Sequence, residues 1–103
     1  MKTNTASLLI RCNGSMETVN PSNTRKGWSL QELYGHLSCD MVEVVYPVNP
    51  LPVMLGSLAK KNTILICDEE ALFSSKTVNP FASMLAGQRI VGDVILTESK
   101  NLK

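Results

Sequence analysis

Trp28-Ser29-Leu30-Gln31-Glu32-Leu33-Tyr34-Gly35-His36-Leu37-Ser38-Cys39-Asp40-Met41-Val42-Glu43-Val44-Val45-Tyr46 decides the fold. Ser29 and Glu32 have the spacing of a capping box, in which each side chain satisfies a free amide at a helix start, and Trp28 before the cap can staple onto Leu33. Leu30, Leu33, Tyr34 and Leu37 recur at spacings of three and four, which makes one apolar helical face. Gly35 weakens that helix by about 1 kcal/mol, so it should be short. From residue 40 the period changes to two: Val42, Val44 and Tyr46 share one side of a strand, and Met41, Glu43 and Val45 the other.

Upstream, residues 7–12 suit a strand, Asn13-Gly14 is the favoured pair for a tight type I′ hairpin, and residues 15–19 can return antiparallel. Residues 20–27 hold turn formers and little to bury, which predicts an exposed loop. Downstream, three prolines between Pro47 and Pro52 forbid a continuing central strand. Residues 53–59 are either a helical turn or an apolar loop. Residues 63–68 form a continuous apolar run that fits a central strand, and residues 71–73 suit a short returning one. Asn79-Pro80 opens a second helix, with Phe81, Met84 and Leu85 on its buried side and Gly87 as its stop. A last strand spans 90–97, bent at Gly92-Asp93.

The expectation is therefore α+β: one domain over 1–103, with a small mixed or mainly antiparallel sheet of about five strands and two short helices. The tails 1–6 and 98–103 are read as loosely ordered. Val-Asn-Pro recurs at 19–21, 48–50 and 78–80, but the segments that follow differ in length and character, which argues against duplication.

Composition narrows the function classes. Ten basic and nine acidic residues leave a formal charge of +1, which argues against a dominant nucleic-acid face or membrane-binding face. No apolar run approaches the roughly 20 residues of a membrane span, so a soluble, cytoplasmic protein is expected. Aromatics make up only 5% of the chain, so the core should be aliphatic.

Cys12, Cys39 and Cys67 are an odd, widely spaced set that suits reduced thiols better than a disulfide framework. With His36 they supply the inventory of a zinc site. Zinc knuckles bring their ligands in close pairs, however, and Cys12 and Cys67 each stand alone in a strand-like run, so buried thiols are the simpler reading. A nucleophilic thiolate needs an electropositive setting, whereas Cys39 adjoins Asp40. Asp68, Glu69 and Glu70, with the later Asp93, are either a carboxylate cluster for acid/base work or a hard metal, or an acidic turn that discourages edge pairing. A glycine-rich phosphate loop, a helical His pair and a Gly-x-Ser-x-Gly elbow are all missing, so the sequence implies neither a reaction nor a cofactor or metal.

Binding has more to draw on. Arg25 and Lys26 precede a capped helix whose amides can attract an anion. Trp28 beside them offers a flat ring, Ser29 caps the helix, Asn79 caps the second helix, and Arg89 stands before the last strand. These six residues are the candidate ligand site for a small anionic ligand, which a homo-oligomer could enclose at a symmetric interface. The alternative is a surface for a protein partner built on residues 47–58, with Val53, Met54 and Leu55 as its contacts.

Trp28-Ser29-Leu30-Gln31-Glu32-Leu33, Met41-Val42-Glu43-Val44-Val45, Ile66-Cys67-Asp68-Glu69-Glu70, Asn79 with Ala82, and Ile90-Val91-Gly92-Asp93-Val94-Ile95-Leu96 together resemble, in order, an uncharacterised family of small phage and bacterial mobile-element proteins that carry domain of unknown function 3846. The similarity spans residues 28–97. The chain departs from the family pattern at Ser38-Cys39-Asp40, where a glycine pair is usual, and in the added length of residues 47–62. The resemblance implies a phage or mobile-element setting, in which small proteins often counter host defence by sequestering a nucleotide immune signal or by blocking a host defence protein. It brings no catalytic residues.

Overall fold

In the computed structural model, residues 7–23, 25–52, 55, 58–59, 62–71 and 76–102 are described. The elements are β1 (Ser7–Ile10), β2 (Met16–Val19), α1 (Leu30–Leu37), β3 (Val42–Val45), β4 (Thr63–Asp68), α2 (Pro80–Ala86) and β5 (Val94–Glu98), followed by a 3-10 turn, Ser99–Asn101. Five strands form one sheet in the order β2-β1-β5-β4-β3, and every neighbouring pair is antiparallel. This is the expected α+β class, with β5 rather than β4 as the middle strand.

The period of two in the inner strands divides the core between two faces of the sheet. Ile64, Ile66 and Ile95 pack with Leu9 and Val19 against Trp28, Leu33 and Leu37 on the α1 side. Leu65, Cys67, Val94 and Leu96 pack with Ile10 and Val45 against Ala82, Leu85 and Ala86 on the α2 side. The sheet thus lies between its two helices. Coverage on both faces explains why all six residues of β4 are buried although the sheet is antiparallel.

α1 has the capping box read from Ser29 and Glu32, and it ends at Ser38, whose left-handed backbone (φ 52°) closes the helix. Gly35 is tolerated inside it. Leu33 and Leu37 are buried, but Leu30 is largely exposed, so the apolar face is narrower than its pattern suggests. α2 begins at Pro80 under the Asn79 cap and stops at left-handed Gly87, as expected. Its buried side is Ala82, Leu85 and Ala86; Phe81 is half-buried, and Met84 points outward.

Several expectations are corrected. The β1–β2 hairpin is not a two-residue type I′ turn. Gly14 N bonds Arg11 O and Arg11 N bonds Ser15 O, both at 2.9 Å, so residues 12–14 form the loop and only Gly14 takes a positive φ. Asn13 instead accepts from Ser15 N through its side chain, which favours the longer turn. Cys12 therefore lies in the loop and not in a strand.

The last strand begins at Val94, because Val91 bridges Val78 and Gly92 (φ 87°) turns the chain before Asp93. The segment after β5 is not a loose tail. Glu98 belongs to β5, Asn101 O accepts from Trp28 N at 2.8 Å, and Leu102 packs against the α1-side core. Residues 1–6, and the short strand read at 71–73 apart from Ala71, lie outside the described residues.

The long connection after β3 is part of the core. Leu55 and Leu58 are buried on the α2 side, with Leu51 packed beside them. Val48 N bonds Leu85 O at 3.0 Å and the Asn49 amide reaches Met84 O, so this segment satisfies the free carbonyls at the end of α2. The three Val-Asn-Pro copies accordingly do different work: the first ends β2, the second caps the end of α2, and the third opens α2.

Candidate functional site

The six residues singled out from the sequence do not come together. Arg25 and Lys26 are exposed before α1, while Asn79 and Arg89 bracket α2, and the two helices cover opposite faces of the sheet. Asn23 organises the first pair, because its Oδ1 accepts from the backbone amides of Arg25 and Lys26, each at 3.0 Å.

Several of the amides at the start of α1 are already engaged. Glu32 lies at the start of α1, where Oε2 accepts from Ser29 N at 3.0 Å and Oε1 from Ser22 N at 2.7 Å. The backbone amides of Ser29 and then Ser22 hold the Glu32 carboxyl at about 2, below its ordinary 4.5. The Ser29 hydroxyl is taken by Glu32 N. The chain's own carboxylate thus already lies at the helix start and takes two amides there.

Trp28 is 5% exposed, and its Nε1 donates to Thr97 Oγ1 at 3.2 Å. His36 meets its ring edge-on at 5.7 Å between centroids. A ligand has no open face of Trp28 on which to stack. Asn79 is fully buried: its Oδ1 caps α2 through Ala82 N, and its Nδ2 donates to Ile10 O and Gly92 O, each at 3.0 Å. It is a brace between β1, α2 and the approach to β5. Arg89 borders a recess of about 80 Å3 that also contacts Glu43, Asp68 and Glu69, an acidic setting.

Two of the carboxylates considered for catalysis, Asp68 and Asp93, are likewise committed. Lys76 Nζ pairs with Asp68 Oδ2 at 2.8 Å and also donates to Leu37 O and Ser38 O, tying the end of β4 to the end of α1. Asp68 Oδ1 accepts from Glu70 N. Asp93 accepts from Cys12 N at 3.0 Å and lies 3.7 Å from Arg11.

Burial, then the nearby Glu43 and Asp68 carboxylates, pushes the Cys67 thiol up to about 12. Burial also raises Cys12, with Asp93 adding to it, and raises Cys39, with Asp68 adding to it. Burial thus disfavours the nucleophilic thiolate at all three. Among the described residues, no three His, Cys, Asp or Glu side chains gather into a metal-binding group.

A different place has the shape of a site. Where Pro47 leads the chain away from β4, a cleft of about 460 Å3 opens between the segment after β3, the start of β4 and the end of β5. Tyr46, Pro47 and Leu51 form one wall; Asn49, Asn62, Thr63, Ile64 and Ser99 complete it. That volume is in the range of small-molecule sites.

Ser99 N donates to Asn62 O at 2.7 Å, which fixes two of these polar residues side by side. Among the described residues, no hydrogen bond engages the Asn62 amide, the Ser99 hydroxyl or the Tyr46 phenol. Tyr46 is 70% exposed, so a face of its ring is open to a ligand. The lining carries no charge, but Lys60 and Lys61 precede Asn62 in the chain and Lys100 follows Ser99.

Sequence reasoning missed this cleft because its polar members are ordinary loop residues, brought together only by the pairing of β4 with β5. The one available signal was Tyr46, an aromatic residue placed just before a proline-rich break. Leu55 and Leu58, from the segment considered as a protein-binding surface, face the core, while Val53 and Met54 lie outside the described residues.

Among the described residues, no helix is long and apolar enough to cross a membrane. Comparison of the chain with protein-family models, with curated proteins and with solved structures finds no match.

Proposed function

We propose that this chain is a non-catalytic binding protein that captures a small ligand, with a planar ring and an anionic group, in the cleft beside Tyr46. The observation that carries the reading is the concave, uncharged lining, in which the exposed Tyr46 ring stands near the uncommitted Asn62 and Ser99 side chains. A ring stacked on Tyr46 would exchange hydrogen bonds with the Asn62 amide and the Ser99 hydroxyl. The lysines that adjoin the lining in sequence supply the attraction for an anion. A buried Cys67 whose ionisation is disfavoured and an Asp68 carboxylate paired with Lys76 favour capture over conversion.

A nucleotide-derived signal has this chemistry. With the resemblance over residues 28–97, the reading extends to a phage-type protein that sequesters such a signal against host defence. Calorimetry with cyclic nucleotides, AMP and ADP-ribose tests the capture step. Saturable heat with at least one of them, weakened in Tyr46→Ala, is expected; no heat with any member of the panel overturns the reading. Mass spectrometry of the ligand after incubation should return it unchanged.

A further inference from the structure

Strand register and chain order put one unexplained carboxylate next to residues of the cleft. Glu98, the last residue of β5, is paired across the sheet with Thr63 and immediately precedes Ser99, both of which line the cleft. Its residue is only 7% exposed, yet among the described residues its Oε1 has no hydrogen-bond partner and its Oε2 meets a cation only at 3.9 Å, the Nζ of Lys100. A buried carboxylate without a hydrogen bond is costly to keep. At 3.9 Å the contact is an attraction between charges and not a hydrogen bond.

Lys100 is in the complementary state. Its side chain is 48% exposed, and among the described residues none of its ammonium protons is donated in a hydrogen bond. Lys76 shows the contrast, since its ammonium serves Leu37 O, Ser38 O and Asp68 together. The charge contact with Glu98 therefore engages Lys100, the residue after Ser99, without consuming its donors.

We infer that Lys100 contacts the anionic group of the cleft's ligand and that Glu98 is the residue that positions it. The inference rests on the capture reading of the cleft. It divides recognition in two: Tyr46 and Asn62 take the ring, and Lys100 takes the phosphate. An anion arriving at Lys100 adds charge-assisted hydrogen bonds that the apo arrangement leaves unmade.

The test is titration of the full chain with AMP and with adenosine, followed by calorimetry. AMP should bind about tenfold tighter than adenosine, the worth of one charge-assisted contact. Lys100→Met should erase that preference and leave adenosine affinity unchanged, and Lys100→Arg should restore it. Glu98→Gln, matched in shape, should lower AMP affinity several-fold without altering adenosine, a split that general loss of structure would not produce. If Lys100→Met keeps the preference for AMP, the assignment of Lys100 is overturned while the cleft stands. If neither AMP nor adenosine binds the unmodified chain but another nucleotide does, the phosphate role of Lys100 is judged the same way with that nucleotide and its nucleoside. If no nucleotide binds, the capture reading falls and this inference with it.

Discussion

Trp28 Nε1 donates to the Thr97 hydroxyl at 3.2 Å, and the same oxygen meets Asn101 Nδ2 at 3.2 Å and Ser7 Oγ at 2.6 Å. Two N–H donors fill the acceptor capacity of that hydroxyl, so its own proton goes to Ser7. One buried oxygen on the middle strand thereby joins β1, the approach to α1 and the turn that ends the described chain. Thr97→Val keeps the shape and removes the junction, depriving the buried Trp28 and Ser7 groups and the part-buried Asn101 amide of this partner. A loss of about 1–3 kcal/mol is expected, measured by urea unfolding. Thr97→Ser should recover most of it.

Trp28 is the only tryptophan in the chain, and it is buried. Its fluorescence should be blue-shifted and shielded from acrylamide in the folded protein, and red-shifted on unfolding. Trp28→Ala should cost about 3–5 kcal/mol, as for other large core deletions. Whatever folded protein remains should bind ligand as before, because the ring does not border the cleft.

Acid should undo the start of α1. The Glu32 carboxyl is held at about 2 against an ordinary 4.5, so the folded-state value is depressed. The stabilisation this implies is complete above about 4.5 and is lost as pH falls toward about 2. Melting temperatures of the unmodified chain and of Glu32→Gln should therefore differ most near neutral pH and converge across that window. A gap that stayed constant down to pH 2 would rule out this linkage.

Gly27 adopts φ 81°, and a Cβ there would run into the backbone carbonyl of Asn101. The obstacle is main chain on a packed segment, so it cannot rotate aside. Gly27→Ala should destabilise by about 1–3 kcal/mol through backbone strain and displacement of the 3-10 turn. Gly35→Ala is the control: nothing lies near its Cβ, and it should stabilise α1 by about 0.5–1 kcal/mol. Thermal melts of the two variants should move in opposite directions.

Tyr46→Ala and Asn62→Ala act on exposed side chains at the cleft and should change the melting temperature little. In ligand titrations the same variants should each weaken binding about tenfold, the loss of a ring contact or a hydrogen-bond pair. Trp28→Ala has the opposite signature, so the pair of measurements separates the cleft from the site first read around residue 28.

By itself the sequence determined what depends on neighbours along the chain. The Ser29–Glu32 box, the Asn79-Pro80 start and the Gly87 stop are local hydrogen-bond geometries. The alternating valines of β3 and the apolar run of β4 announce strands through side-chain period alone. These were enough for the α+β class and for five strands and two helices in their order.

Only the tertiary structure decided what depends on approach between distant segments. The pairing of β5 with both β1 and β4 made it the middle strand, and placing the helices on opposite faces separated Arg25 and Lys26 from Asn79 and Arg89. Closure of the core enclosed Trp28 against Thr97, and it drew Leu55 and Leu58 inward from a segment that reads as a loop. The cleft belongs to this second class. Tyr46, Asn62 and Ser99 lie far apart in sequence and carry no motif, and they meet because strand pairing brings the start of β4 beside the end of β5 just where Pro47 turns the chain away. The residues around Trp28 and Ser29 offered groups for an anion, but folding turned the Trp28 ring into the core and engaged the Ser29 amide and hydroxyl with Glu32.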